Sequence, residues 1–252
     1  MHIEVTGQGK PLVMLHGWGM HGGIWGDVVA HLSQDFEVHN VDLPGHGASA
    51  AQGDFTLDEI VALLDAQFDQ PVSVLGWSLG GIIAQHWAAS SQHKVERLIL
   101  LASTPCFTER DDWLFGMPAE TLQQFAAELE KNHAATLRRF LALQVRGSEQ
   151  ERELLLALRE KLFSRGEPDI TALRGGLAIL RDADLREQLF AITQPTLAIA
   201  GQRDKLTPPE ASNYLAQAMP HARVEEIAGA AHAPFLSHTE PVVQHIKKFL
   251  HE

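Results

Sequence analysis

The sequence holds one cysteine, Cys106, among 252 residues, so no internal disulfide framework is possible and the chain fits a reducing compartment. Positive charge is scarce. Against 32 Asp+Glu there are 20 Lys+Arg, a formal net charge of −12, which argues against nucleic acid or an anionic membrane as the main partner. No apolar run reaches the roughly 18 residues of a membrane-spanning helix. Met1-His2-Ile3-Glu4-Val5 has neither the basic start nor the apolar block of a secretory signal. Low-complexity tracts and fixed-period repeats are also missing. What is present, 45% hydrophobic and 21% charged, is the composition of a globular chain. Its length suits one large α/β domain or a core carrying an insertion. A soluble, cytoplasmic protein is expected.

Short apolar runs, Pro11 to Leu15, Phe36 to Leu43, Pro71 to Leu75 and Arg97 to Leu101, alternate with helix-like stretches over the first hundred residues. Those stretches are Ile24 to Leu32, Thr56 to Phe68 and Gly80 to Ser90, the second opening with Thr56 and Glu59 spaced as a capping box. Strands alternating with helices imply a parallel, mostly buried sheet. After Ser103-Thr104-Pro105 the rhythm changes. Leu122, Phe125, Ala126 and Leu129 repeat at helical spacing, as do Leu137, Phe140 and Leu141, then Leu154, Leu155, Leu158 and Leu162. Strand character resumes at Thr196 to Ala200 and Arg223 to Ile227, and a last helix is expected over Pro241 to Leu250. The chain therefore reads as an α/β core, residues 1–106 and 186–252, interrupted by an all-helical insertion over 107–185. Charge follows the same division. Residues 131–186 hold eleven of the 20 Lys+Arg and eight of the 32 Asp+Glu, a net +3 against −15 elsewhere.

Gly76-Trp77-Ser78-Leu79-Gly80 follows an apolar run and opens a helical stretch, the strand–turn–helix setting of a nucleophile elbow. Small residues two before and two after allow a turn tight enough to expose the serine hydroxyl, and Gly81 adds a third where helix and sheet must pack. Alone, the G-x-S-x-G pattern is weak: this composition yields it about 0.07 times per chain, and a serine that merely caps a helix would look the same. Three further features lie in the right order. His16-Gly17-Trp18-Gly19 ends a strand where a second oxyanion donor belongs, so the N–H groups of Trp18 and Leu79 are the expected pair, with His16 structural. Asp204 follows the strand Thr196 to Ala200 and can orient an imidazole; the bland reading is a turn aspartate capping the helix near Pro209. His232, in Ala230-Ala231-His232-Ala233-Pro234-Phe235, completes the order Ser, Asp, His. With fourteen histidines present, it is this order that singles it out.

Other candidates carry less. Asp42-Leu43-Pro44-Gly45-His46-Gly47-Ala48-Ser49 is glycine-rich but lacks the Gly-Lys-Ser/Thr ending of a phosphate loop, and reads as a turn held by His46 and Ser49. Cys106 has no evident base partner. His86, His93 and His245 lack metal-ligand spacing, so no metal or other cofactor is expected.

Together the elbow, the His-Gly-Trp-Gly turn, Asp-Leu-Pro-Gly-His-Gly and the late Asp and His resemble the α/β-hydrolase superfamily along essentially the whole chain. Within it the chain most resembles the esterases that hydrolyse the methyl ester of pimeloyl-acyl carrier protein in biotin synthesis. The closer signals are Leu15-His16-Gly17-Trp18-Gly19, Val41-Asp42-Leu43-Pro44-Gly45, Leu75-Gly76-Trp77-Ser78-Leu79-Gly80-Gly81, Ser103-Thr104-Pro105-Cys106-Phe107, Arg139-Phe140-Leu141-Ala142-Leu143-Gln144 and the segment around His232. The resemblance implies an α/β-hydrolase fold, a twisted, mostly parallel sheet flanked by helices, with a helical lid. It implies Ser78 as nucleophile, His232 as base, Asp204 as orienting acid, and Trp18 and Leu79 as oxyanion donors. Trp18, Ser78, Leu79 and His232 would also touch substrate, and Phe140, Leu141, Ala142, Leu143 and Gln144 would line an acyl tunnel. Its partner would be an acyl carrier protein, met by a monomer. The positive insertion then has a reason, and Arg138, Arg139, Arg146, Arg152 and Arg159 are the candidate docking residues, Arg139 foremost. Leu156 departs from the pattern, standing where another basic residue would fit. A broad short-chain carboxylesterase, a C–C hydrolase or lyase, and a non-catalytic ligand-binding member of the fold remain open.

Overall fold

The computed structural model describes residues 1–252. Seven strands form one sheet: β1 (His2–Thr6), β2 (Lys10–Leu15), β3 (Phe36–Asp42), β4 (Val72–Trp77), β5 (Val95–Leu101), β6 (Thr196–Gly201) and β7 (Ala222–Ile227), in the order β1-β3-β2-β4-β5-β6-β7. β1 runs antiparallel to β3, and every other neighbouring pair is parallel. β4 and β6 are buried at every position, which is why they read as unbroken apolar runs. β1 is the strand the sequence pattern does not announce. At the sheet edge its side chains are half-buried or exposed, so no apolar run marks it.

The helices in chain order are α1 (Gly26–Leu32), α2 (Leu57–Asp65), α3 (Leu79–Ser90), α4 (Ala119–Leu129), α5 (His133–Val145), α6 (Glu151–Leu162), α7 (Ile170–Asp182), α8 (Pro209–Ala218), α9 (Pro234–Ser237) and α10 (Thr239–His251). The helix expected over Ile24 to Leu32 is split, a 3₁₀ turn at Gly22–Trp25 preceding α1. At the start of α2 only half of the expected capping box forms. Thr56 Oγ1 accepts from Glu59 N–H, but Thr56 N–H donates to the Asp54 carbonyl instead of the Glu59 side chain.

The chain leaves β2 toward β3 on one side and returns to β4 on the other, so β2 and β4 are neighbours at the point where strand order reverses. Loops leaving adjacent strands there flank a crevice, the usual place for a ligand in an open α/β sheet. The loop after β2 carries His16 to Gly19, and the turn after β4 carries Ser78.

Between β5 and β6 no strand joins the sheet, and the chain builds α4 to α7. The two ends of that stretch meet: Cys106 bridges Asp184, and Leu185 N–H donates to the Pro105 carbonyl. These helices have no core of their own. Leu122, Phe125, Leu137, Phe140, Leu158 and Leu173 belong to the same continuous 69-residue apolar cluster as the sheet, so they lie on the core as a cover. No helix is long and apolar enough to cross a membrane.

Candidate active site

Ser78 occupies a backbone conformation that serine rarely adopts, with φ 54° and ψ −117°. Such strain persists only where the surroundings enforce it. Here the two glycines of the motif do so: a Cβ on Gly76 would strike the backbone of Gly80, and one on Gly80 would strike the carbonyls of Leu15 and His16. Side chains at either position would push the turn apart. Gly81 meets the Ser103 side chain in the same way, which brings α3 down onto the end of β5.

From this turn a hydrogen-bonded chain runs inward. Ser78 Oγ lies 2.9 Å from His232 Nε2, and His232 Nδ1 lies 2.8 Å from Asp204 Oδ2. A carboxylate can only accept, so Nδ1 carries the imidazole proton, Nε2 is bare, and the Ser78 hydroxyl donates to it. All three side chains are buried, with Ser78 4% and His232 1% exposed.

Asp204 sits just past β6 and does two things at once. Its Oδ1 accepts from the Leu206 and Thr207 N–H groups, capping the turn into α8 as the bland reading had it, while Oδ2 faces the imidazole. His232 is fixed through its backbone as well. Its N–H donates to the Gln144 carbonyl near the end of α5 (3.1 Å), and its carbonyl accepts from Trp77 Nε1 (2.8 Å). Neither Trp77 nor Thr207 stands out in the sequence as a site residue. For Thr207 the available signal was the Asp-x-x-Thr spacing; for Trp77 it was the place beside the serine.

The loop after β2 passes directly over the serine. A Cβ on Gly17 would lie 3.4 Å from Ser78 Cβ. His16 holds this loop from below: Leu43 N–H donates to its Nε2 at 3.0 Å, so Nδ1 carries the proton and donates to the Gly17 carbonyl at 2.9 Å. Met20 N–H donates to the same carbonyl. In a trans peptide the N–H points opposite to the C=O, so fixing the Gly17 carbonyl fixes the direction of Trp18 N–H. Neither Trp18 N–H nor Leu79 N–H, the latter in the first turn of α3, donates to any protein acceptor. His16 is structural, as its place early in the chain suggested. Burial and the neighbouring His46 push its pKa down to about 3.

Over the serine lies the helical cover. Trp18 is buried, donates from Nε1 to the Leu173 carbonyl on α7, and meets the Phe140 ring edge-on at 4.8 Å. Phe140 in turn meets Phe125. On α5, Phe140, Leu141 and Gln144 are buried while Ala142 and Leu143 are half-buried, and Gln144 Oε1 has no partner. In this arrangement Ser78 is almost closed off from solvent. A groove of about 280 Å³ between α4 and α7, lined by Leu122, Ala126, Leu129 and Leu177 but also by Glu130, Arg174 and Arg181, does not include Ser78.

Of the arginines expected to dock a carrier, Arg139 is not free. It pairs with Glu128 and lies over the Phe125 ring, a long-range arrangement that local spacing does not reveal. Arg138 lies over Phe163. Arg146, Arg152 and Arg159 are exposed and enter no ion pair; of the acids near them, Glu149 pairs with Arg203 and Glu151 accepts from Gly147 N–H.

Asp42, the other carboxylate at a strand end, does not reach His232. It accepts from Gly22 and Ala48 N–H and from Arg165. His46 and Ser49 hold that turn by bonds to the Pro44 and Asp42 carbonyls. Cys106 donates to the Thr108 carbonyl, accepts from Arg110 Nε, and burial pushes its thiol up, away from thiolate chemistry. No group of three or more His, Cys, Asp or Glu side chains is placed to hold a metal ion.

A family model described as alpha/beta hydrolase fold matches residues 10–239. The chain is 46% identical over 244 residues to a pimeloyl-[acyl-carrier protein] methyl ester esterase of Nitrosomonas europaea, covering 96% of each chain. It is 43% identical over 250 residues to the protein of that name from Chromobacterium violaceum, covering 99% of this chain and 98% of the other. Among solved structures, an esterase from Exiguobacterium antarcticum superposes with a TM-score of 0.88 at 23% identity, covering 100% of this chain and 95% of that one. A bromoperoxidase from Bacillus anthracis superposes with a TM-score of 0.90 at 22% identity, covering 99% and 95%. Similarity at that level speaks for the fold alone.

Proposed function

The chain belongs to the α/β-hydrolase family, and from that premise we propose that it is a serine carboxylesterase that hydrolyses the methyl ester of a pimeloyl group carried on an acyl carrier protein, in biotin synthesis. The observation that carries the chemistry is the unbroken chain Ser78–His232–Asp204 at a strained elbow. The substrate rests on likeness to the curated esterases over nearly the full length.

Ser78 is a weak nucleophile at its ordinary pKa, so His232 Nε2 takes its proton as Oγ attacks the ester carbonyl. Asp204 holds the imidazole tautomer and stabilises the imidazolium. The carbonyl oxygen becomes an oxyanion between Trp18 and Leu79 N–H, each donor being worth about 3 kcal/mol in the transition state. Methanol leaves with the proton from His232. Water, activated by the same imidazole, then releases the free carboxylate.

The substrate also contains a thioester, chemically the easier target, so selectivity is a matter of placement. Helices α4 to α7 serve as the lid. Phe140 and Leu143 line the path of the acyl chain once the Trp18–Phe140 contact opens, and the distal ester reaches Ser78 while the carrier stays outside. Arg152 and Arg159 lie seven residues apart on α6 with Leu156 between them, on one helical face. With Arg146 they are arginines in no ion pair, interspersed with Glu153 and Glu160 of the same helix, and they are the residues assigned to meet the acidic carrier. Arg138, over Phe163, and Arg139, paired to Glu128, take supporting places. A monomer in the cytoplasm, working on a soluble carrier, completes the reading.

The test is a panel of short aryl esters, dicarboxylate methyl esters and the carrier-bound methyl ester, run with wild type and Ser78→Ala. Preference for the carrier-bound ester, lost in Ser78→Ala, supports the proposal. Equal or better kcat/KM on acetate esters overturns the substrate assignment, and hydrolysis retained in Ser78→Ala overturns the mechanism.

A further inference from the structure

We propose that Thr207 is a positioning residue for hydrolysis, holding the Asp204 carboxylate and the His232 ring in one geometry through its hydroxyl. The proposal rests on the catalytic reading above and is independent of which acyl group the enzyme prefers.

The observation is how Asp204 is filled. Its Oδ1 accepts from Leu206 N–H (2.8 Å) and Thr207 N–H (3.1 Å). Its Oδ2 accepts from His232 Nδ1 (2.8 Å) and from Thr207 Oγ1 (2.8 Å). A carboxylate offers about four acceptor sites, and all are occupied. Thr207 supplies two of the four donors, one from its backbone and one from its side chain. Its hydroxyl oxygen also lies 3.3 Å from His232 Nδ1, so Oγ1 touches both members of the pair it would hold. Thr207, Asp204 and His232 are all buried, and in such surroundings a missing donor is not made good at little cost.

Residue type and position suit this task. Threonine is β-branched and stiff about χ1, so its hydroxyl is held before substrate arrives. Pro208 follows, restricting the Thr207 backbone to extended conformations and fixing the turn that carries both of its donors. Were Thr207 only a cap for the loop into α8, its backbone N–H would suffice and the hydroxyl would be idle. Because the hydroxyl shares Oδ2 with the imidazole, its removal leaves Oδ2 held by the imidazole alone while Oδ1 keeps its two backbone donors, so the carboxylate can tilt about χ2 and shift His232 relative to Ser78. The loss should fall on the chemical step and not on substrate binding.

The experiment measures kcat and KM on p-nitrophenyl butyrate for wild type, Thr207→Val, Thr207→Ser and Thr207→Ala, with Thr207→Val repeated in an Asp204→Asn background. Thermal melting accompanies each variant. In Thr207→Val, kcat should fall about tenfold with KM nearly unchanged, the scale of one hydrogen bond to a charged group. Thr207→Ser should recover to within about threefold of wild type, and Thr207→Ala should be slower than Thr207→Ser, which keeps the comparison alive if the valine variant fails to fold. Since Thr207 acts through Asp204, adding Thr207→Val to Asp204→Asn should cost less than about twofold. A valine variant with wild-type kcat overturns the proposal, as does a serine variant no faster than alanine, or an undiminished loss in the Asp204→Asn background. A wild-type rate that Asp204→Asn leaves unmoved removes the catalytic reading itself, and the proposal with it.

Discussion

Two buried aspartates end two strands of the same sheet and have been put to different uses. Asp42, at the end of β3, and Asp204, just past β6, each accept backbone N–H groups from the turn that follows or faces them. One side-chain partner separates them. For Asp42 it is the Arg165 guanidinium, reaching down from the loop between α6 and α7 and also touching Glu4, so that this carboxylate ties the helical cover to the core. For Asp204 it is the His232 imidazole, which leads on to Ser78. Burial would raise the Asp42 carboxyl, but the Ala48 and Gly22 N–H groups, with Arg165, outweigh it and hold it below the usual carboxylate range. A strand-end aspartate therefore becomes a catalytic acid only through the partner it faces. The Asp42 cluster should govern stability and the Asp204 cluster rate.

The sharpest way to break that division is to remove the side chains in parallel. Ser78→Ala should abolish ester hydrolysis in a folded protein, and Asp204→Asn should lower kcat by about 10⁴, since it favours the wrong imidazole tautomer. Asp42→Asn should leave kcat within a few-fold while costing about 2–3 kcal/mol of stability. That is below the 3–5 of a fully buried pair, because Arg165 is partly exposed and keeps Glu4. Denaturant melts and steady-state kinetics on the three variants decide it. If Asp42→Asn loses rate as Asp204→Asn does, the two clusters are not separable.

Acid sharpens the same comparison. His16 and His46, packed at 5.2 Å beside Asp42, are held neutral, burial pushing them down to about 3 and about 4. A depressed folded-state pKa means that the unfolded chain binds the protons first. Their contribution is complete above pH 6.5 or so and is lost as pH falls toward the folded values. Well below pH 6.5 each histidine removes about 1.4 kcal/mol per pH unit, so the pair should cost roughly 3 kcal/mol between about pH 6.5 and 5. His46→Gln should roughly halve that slope in urea melts taken across the range. An unchanged slope would show that other groups carry the acid sensitivity.

Smaller effects belong to the cover. Phe140→Ala should raise KM for long acyl methyl esters about tenfold while leaving acetate esters within about twofold, since a lost aromatic contact in an apolar path costs on the order of 1–2 kcal/mol. Equal effects on both would assign Phe140 to packing alone. Arg152→Glu with Arg159→Glu should lower kcat/KM for the carrier-bound ester several-fold at low salt, with the gap closing at high salt and free esters unaffected, because rim charges act mainly on association. Parallel losses on free and carrier-bound esters would remove the docking surface.

Much of this is legible in the sequence. The central strands announce themselves because both faces are buried, and Gly76 and Gly80 mark a turn where a side chain would collide. The order Ser78, Asp204, His232 is a property of the chain itself. Other parts were hidden for physical reasons. β1 is an edge strand with little buried surface. The helix α7 contains Gly175 and Gly176, which weaken any helical expectation, yet they are needed because a Cβ there would meet Phe55 and Trp18. The pairing of Arg139 with Glu128 joins neighbouring helices and depends on how α4 packs on α5. Thr207 was hidden differently: its Asp-x-x-Thr spacing suits any turn, and only the imidazole beyond Oδ2 gives the hydroxyl a second meaning.

The most direct test of the central claim, a serine esterase that cuts the distal ester and spares the thioester, is to follow the carrier by intact-protein mass spectrometry. Pimeloyl-acyl carrier protein methyl ester, incubated with catalytic enzyme, should lose the mass of one methylene as methanol appears. The acyl chain should stay on the carrier, and Ser78→Ala should leave the conjugate untouched. Loss of the whole acyl group, leaving the carrier thiol free, or no change of mass at all, would contradict the account.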